Sequence, residues 1–519
     1  MKRWLTSVAV LAVLLCGAPA TAEPDASALY QSKCAACHGG DRLGAIGPAL
    51  LPDNLGRLGV AGAEKVIREG RAATQMPAFA AELDDPAIKS LAALVYTKPG
   101  KTPVWGAREI AESRVLTPAP ASTKPIYAAD PLNLFVVVES GDHHVSILDG
   151  DTFTPLHRFQ SRFALHGGPK FTRDGRYVFF GSRDGWVTKF DLWTLKIVAE
   201  ARAGINTRNI ALSKDAKHLA VANYLPNALV ILSAEDLSVE RIFDVADKKG
   251  QVSRVSAVYQ APQRDSFIAA LKDVPEIWEV GTSPNSPPVY TGLVHSYEKG
   301  MVEALASSQG LFALRRIEAS EPLDDFFFDP DYRNLIGANR NGDRAIVVNL
   351  NTGREIASIP LPGMPHLGSG VSWMRDGHRV VATPHLKEGK VSVIDTDDWK
   401  TIATIDTQGP GFFLRSHENS PYVWADSFMS PKNRDKVQII DKATLQITRV
   451  MQPAPGKTTG HVEFDRSGKH ALVSVWEMDG AIIVYDAATF QEVKRLPMSK
   501  PAGKYNIYNK ITFSEGTSH

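Results

Sequence analysis

Residues 135–159 read FVVVESGDHHVSILDGDTFTPLHRF: an apolar strand, a turn, a second apolar strand closed by an acidic residue, a short polar link, and a third strand. The same order returns in YVFFGSRDGWVTKFDLWTLKIVAEA (177–201), RVVATPHLKEGKVSVIDTDDWKTIATI (379–405) and HALVSVWEMDGAIIVYDAATFQEVKRL (470–496). Weaker copies begin near Leu219, Phe267, Asn334 and Tyr422. The units start about 42 to 67 residues apart, within and somewhat beyond the period of propeller blades. Apolar residues alternate with period two between Asp-Gly and Asn-Gly turns, which argues for four-stranded sheets rather than helices. The sequence therefore predicts an all-β, eight-bladed β-propeller over 126–519. A seven-bladed count stays open, because the unit from Phe267 to Gly292 is poorly formed.

Ahead of the repeats, KCAACHG (33–39) holds two of the three cysteines in 519 residues. The third, Cys16, falls in an opening segment with Lys2, Arg3, an apolar run from Val8 to Leu15 and an A-x-A ending at Ala22. That order reads as an export signal, 1–22, and so as a periplasmic protein; the apolar run is too short to span a bilayer comfortably, although a retained anchor is the alternative. Cys34 and Cys37 then form C-x-x-C-H, the attachment signature of one covalent c-type haem. The thiols add across the porphyrin vinyls, and His38 supplies an axial nitrogen. A thioredoxin-like pair would need a preceding strand and a βαβ context, which are not visible. Ala28-Leu29-Tyr30, Gly47-Pro48-Ala49-Leu50 and Gln75-Met76-Pro77 resemble segments of class I cytochromes c. By that likeness Met76 is the candidate sixth iron ligand, or else a packing methionine. A helix from about Pro86 to Tyr96 closes a small all-α domain, 23–100, and KPGKTPV (98–104) leads into a linker, 101–125.

Fifty-eight Lys plus Arg against fifty-seven Asp plus Glu give a formal charge of +1. That balance offers no field to gather nucleic acid or an anionic membrane. No later window is long and apolar enough for stable membrane insertion.

The haem signature followed by a propeller, together with SGDHHVSILDGDTF, FALHGGPKFTRDGRYVFFGSRDG, GMPHLGSGVSW and GKYNIYN, resembles the cytochrome cd1 nitrite reductase superfamily over nearly the whole mature chain. Within it, the likeness is to the branch of haem d1 biosynthesis. The resemblance implies that the propeller binds haem d1 or dihydro-haem d1 non-covalently and that a propionate of the tetrapyrrole substrate is oxidised to an acrylate. It implies His166 as the proximal ligand of the d1 iron and His366 as a distal histidine. Where the reductases carry a second distal histidine, this chain has Glu321-Pro322-Leu323-Asp324-Asp325-Phe326, which weakens a nitrite-reducing reading, since that chemistry needs two protons delivered to a departing oxygen. His461 and Tyr505 stand in segments that resemble the biosynthetic branch. His461, near its ordinary pKa of about 6.5, would be the base and Tyr505 would orient it or the carboxylate. Arg183 and Arg208 match positions where the family binds carboxylates. Arg415, His417 and Tyr224 are further cofactor-binding candidates.

The resemblance leaves a haem d1 carrier or maturation protein and a cytochrome cd1-type nitrite reductase as alternatives. A retained c haem speaks against a mere carrier, which needs no electron exit. The implied partners are a soluble electron acceptor such as a cytochrome c and a nitrite reductase that receives the finished haem d1.

Overall fold

The second strand of each repeat ends in a residue that shapes the following link. Asp149 Oδ1 accepts from the Thr152 backbone N–H, Asp441 from Thr444 and Asp486 from Thr489. The next residue in each case, Phe153, Leu445 and Phe490, takes a positive φ, and its N–H returns to the acid's own carbonyl. This side-chain capping reverses the chain and starts an outer strand. Inner strands such as Leu134–Glu139 are buried throughout, so they read as unbroken apolar runs, whereas outer strands such as Glu492–Met498 alternate towards solvent.

The structure, a computed structural model, describes residues 25–512 apart from 46, 57, 72–75, 119–121, 292–304 and 340–341. The expected export signal and Gln75 lie outside the described residues. Eight four-stranded antiparallel blades form the propeller, one of them extended by a fifth strand. Blade 1 is closed by the C-terminus: Pro501–Asn506 is its innermost strand and pairs with Leu134–Glu139, with Tyr505 opposite Val136. Blades 2 to 8 begin with innermost strands Lys170–Phe171, Asn206–Leu212, Val255–Ala261, Asp325–Phe328, Val371–Arg375, Leu414–Arg415 and Thr459–Phe464. The unit starting at Phe267 is a complete blade 4. Its spacing is long because a hairpin, Val289–Thr291 with Leu305–Ser308, intervenes between its third and fourth strands. Interleaved side chains join neighbouring blades, as where Val187 and Ala199 of blade 2 meet Ile210 and Val221 of blade 3.

The N-terminal domain is helical: Ala26–Lys33, Ala35–His38, Pro52–Leu55, Gly59–Glu69 and Asp85–Val95. Asp25 and Asp84 cap two of these helices, and Tyr30, Leu91 and Val95 form the core. Within 101–125, helix Ala107–Ser113 buries Ile110 against blades 2 and 3, and Val115–Leu116 adds the fifth strand to blade 2. Ala49 and Leu51 pack on Ile205 and Leu225. Asn54 donates to the Ile205 carbonyl (3.0 Å), Asn206 to that of Asp53 (3.1 Å), and Arg202 to that of Leu43 (2.6 Å). The helical domain therefore sits on the end of the propeller where the chain enters the innermost strands. Among the described residues no helix is long and apolar enough to cross a membrane.

Candidate functional site

In the N-terminal domain, Cys34 caps the short helix Ala35–His38 and Cys37 lies within it; both are half-buried and they are not joined to each other. His38 is buried and its Nδ1–H donates to the Pro48 carbonyl (2.8 Å), which fixes the ring and leaves Nε2 as the lone-pair nitrogen. Burial lowers its pKa, so the imidazole is neutral as a ligand must be. A Cβ at Gly47 would lie 2.8 Å from the His38 ring, so glycine is required for the GPAL segment to reach it. These residues fit a covalent haem. Met76 is half-buried on the loop after Gly70, where its carbonyl accepts from the Arg71 N–H (3.1 Å). The Arg71 guanidinium lies 5.6 Å from the Phe163 ring, which sets this loop against the entry to blade 2.

In a propeller all innermost strands run the same way, so residues at their starts gather at one end. His166 precedes blade 2's innermost strand, and its N–H donates to the Gly181 carbonyl (2.9 Å). Its Nδ1–H donates to the Arg208 carbonyl (2.9 Å), which puts the lone pair on Nε2. Arg183 Nη2 (3.1 Å) converges on that nitrogen, and Arg208 Nη1 lies against the ring edge, 3.2 Å from Nδ1 and 3.3 Å from Nε2. The atom suited to bind iron is thus held beside two guanidiniums suited to bind carboxylates. Tyr224, on the same end, has Arg254 at 5.4 Å and Lys272 at 5.9 Å from its ring; these cations are paired with Asp273 and Asp324.

On the entry to blade 6, His366 is buried and donates from Nδ1 to the Phe412 carbonyl (2.8 Å). Its Nε2 faces Asp325 Oδ2 at 3.9 Å. The segment that lacks a second histidine therefore brings a buried carboxylate, whose Oδ1 has no hydrogen-bond partner among the described residues.

His461 opens blade 8 in a left-handed conformation (φ 50°) at a bulge. Its ring is 4.7 Å from Phe413 and 5.1 Å, edge-on, from Tyr505. Nδ1 is enclosed and has no hydrogen-bond partner among the described residues. The ordinary pKa expected from sequence is not what the surroundings impose: burial first, then the Lys504 and Lys510 ammoniums, push it well below 6.5. Burial pushes the Tyr505 phenol up, so it stays a neutral donor. Lys504 donates to the His461 carbonyl and to Ser474 Oγ (3.0 Å), and burial lowers it to about 7. Asp426 binds the backbone N–H groups of Phe412 (2.7 Å), Phe413 (3.3 Å), Phe428 (3.4 Å) and His461 (3.3 Å). It thereby ties the loop that anchors His366 to the bulge that carries His461.

Two candidates stand apart from this gathering. Arg415 is buried against Glu463 Oε1 (3.0 and 2.8 Å from Nε and Nη2) and so is committed within the protein rather than presented to a ligand. His417 belongs to the turn leaving blade 7's innermost strand, at the opposite end, under Gly468 and near Phe464. Sequence reasoning missed Asp325, Asp426 and Lys504. The cue was an acid or lysine inside apolar strand sequence, as in YVWADSF (422–428).

Comparison with known proteins follows the same division. The family described as Cytochrome D1 heme domain matches residues 129–296 and 301–510, and that described as Cytochrome C oxidase, cbb3-type, subunit III matches 22–95. The chain is 54% identical over 510 residues to the dihydro-heme d1 dehydrogenase of Pseudomonas aeruginosa, covering 98% of each. It is 30% identical to Protein NirF of the same organism, covering 75% of this chain and 92% of that one. A solved structure, dihydro-heme d1 dehydrogenase NirN in complex with DHE, superposes with a TM-score of 0.87 at 52% identity, covering 94% of this chain and 99% of that chain.

Proposed function

The chain belongs to the Cytochrome D1 heme domain family, and from that premise we infer that it is an oxidoreductase of the haem d1 pathway that dehydrogenates dihydro-haem d1. The substrate tetrapyrrole rests at the entry end of the propeller, with His166 Nε2 towards its iron and Arg183 and Arg208 released from that nitrogen onto its carboxylates. Introducing the double bond removes two electrons and two protons from one propionate. Both hydrogens are carbon-bound: the neutral His461 takes one as a proton, the other leaves as a proton to solvent, and the two electrons leave in two successive one-electron transfers to the soluble acceptor. Tyr505, protonated at working pH, donates a hydrogen bond to the carboxylate and keeps the side chain against His461. When bound to Cys34, Cys37 and His38, the haem supplies a one-electron store close to the same end of the propeller. A soluble cytochrome c in the periplasm reoxidises it, and a nitrite reductase receives the product.

The observation that carries this reading is the enclosed, unpartnered Nδ1 of His461 beside a neutral tyrosine, at the end of the propeller that collects His166, Arg183 and Arg208. His461→Ala tests it: tetrapyrrole binding persists and acrylate formation stops, whereas retained turnover removes His461 from the mechanism.

A further inference from the structure

Arg202 ends the fourth strand of blade 2, Lys196–Arg202, and is buried where blade, linker and helical domain meet. Its Nε donates to the Asp184 carbonyl (2.9 Å), Nη2 to that of Leu43 (2.6 Å) and Nη1 to that of Gly44 (3.4 Å). The Trp105 ring centroid lies 4.7 Å from its guanidinium carbon. The linker also holds its backbone: Ser113 Oγ accepts from the Arg202 N–H (2.8 Å), and the Trp105 indole donates to the Arg202 carbonyl (2.7 Å). Every hydrogen-bond acceptor of the guanidinium among the described residues is thus a backbone carbonyl, and the Asp184 and Asp41 carboxylates act on it only through space.

Both sides of this contact lead to a redox site. The Gly44 N–H donates to the His38 carbonyl (2.9 Å), so a single residue links the guanidinium to the histidine of the haem signature. On the other side Asp184 follows Arg183, whose Nη2 reaches His166 Nε2 (3.1 Å). A clamp alone needs no charge, since Asn54 and Asn206 already join the same two surfaces through neutral amides. A buried guanidinium with no carboxylate bonded to it is costly. Three carbonyl dipoles and an indole face offset that cost, and a planar fork is the group that uses them together. The charge that remains disfavours the more positive, oxidised state of a haem held by Cys34, Cys37 and His38. We propose that Arg202 is a positioning residue for electron passage: it seats the haem-attachment segment on the Arg183 turn, and its buried charge raises the potential of the c haem. One electron at a time then passes from the bound tetrapyrrole to that haem and on to the soluble acceptor, a direction that rests on the dehydrogenase reading.

The full chain with its c haem is titrated potentiometrically without tetrapyrrole, which separates the haem's potential from turnover. Anaerobic mixing with dihydro-haem d1 then gives the rate at which the haem is reduced. Arg202→Met lowers the potential and slows reduction roughly tenfold or more, while tetrapyrrole binding is unchanged. Arg202→Lys, which keeps the charge and loses the fork, restores the potential but not the rate. The exposed control Arg108→Met changes neither. A wild-type potential or a wild-type rate in Arg202→Met overturns the proposal, as does a potential in Arg202→Lys as low as in Arg202→Met. If Arg202→Met does not accumulate as holoprotein, Arg202→Lys decides, because reduction there as fast as in the wild type removes the positioning role. A wild-type haem that dihydro-haem d1 leaves oxidised refutes the dehydrogenase reading instead, and the potentials still decide whether the charge of Arg202 acts on the haem.

Discussion

Replacing Asp426 with alanine removes the acceptor of four backbone N–H groups, that of His461 buried and the other three partly so, while leaving every proposed reacting group in place. The Phe412 contact, at 2.7 Å, is the strong one, and orphaning that donor costs about 2–3 kcal/mol. The three at 3.3 to 3.4 Å lie at the long edge of hydrogen-bond geometry and cost about 1 kcal/mol each. Against this loss of roughly 5–6 kcal/mol stands a gain, because burial holds the Asp426 carboxyl at about 6 rather than 3.8. Removing that ionised group relieves about 3 kcal/mol. The net expectation is a loss of about 2–3 kcal/mol for Asp426→Ala. Asp426→Asn keeps an oxygen for Phe412 and sheds the charge, and should cost less than about 1 kcal/mol. The positive φ of His461 costs about 1 kcal/mol and is held by the same carboxylate. In the alanine variant the imidazole therefore relaxes, and acrylate formation slows by roughly a hundredfold, as for a base displaced by about 1 Å, while the tetrapyrrole still binds. Urea unfolding followed by tryptophan fluorescence, with single-turnover rates, measures both effects. An Asp426→Ala protein as stable and as fast as wild type contradicts this role of Asp426.

His166→Ala should shift the visible bands of the bound tetrapyrrole and weaken its binding; an unchanged spectrum assigns the iron to another residue. Because burial and two ammoniums keep His461 neutral, the single-turnover rate should stay level as pH falls through 6.5 and drop only in more acid solution; halving of the rate at pH 6.5 contradicts that environment. Lys504→Met removes one of those ammoniums, so the pH of half-maximal rate should rise, and an unmoved profile rules out that coupling. For stability the sign is set by the depressed pKa: unfolded His461 takes up a proton below 6.5 that the folded state refuses, so its contribution is present above that pH and lost as pH falls, which denaturation midpoints across pH will register.

The propeller was legible because apolar inner strands and an Asp-x-x-Thr link recur, and both act locally. The long unit after Phe267 was harder to read, since an inserted hairpin separates strands that pair with each other. The helix Ala107–Ser113 lay inside the expected linker because it buries a single residue, Ile110, and its partner surface is a blade about a hundred residues later. At the site, His166, His366, His461 and Tyr505 were found by likeness and come to the same end of the channel. His417 is only two residues past Arg415, yet it sits in the exit turn, because where an innermost strand stops is set by pairing and not by residue type. Asp426 and Lys504 act across blades on residues 35 and 43 positions away, a relation that no local pattern carries.

In the proposed reaction the tetrapyrrole changes chemically while bound. Purified protein carrying its c haem, mixed with dihydro-haem d1 and an electron acceptor, should yield an extracted tetrapyrrole lighter by two hydrogen atoms; with the acceptor withheld, the c haem becomes reduced and stays so. Tight binding with the extracted mass unchanged contradicts it and leaves a carrier of haem d1.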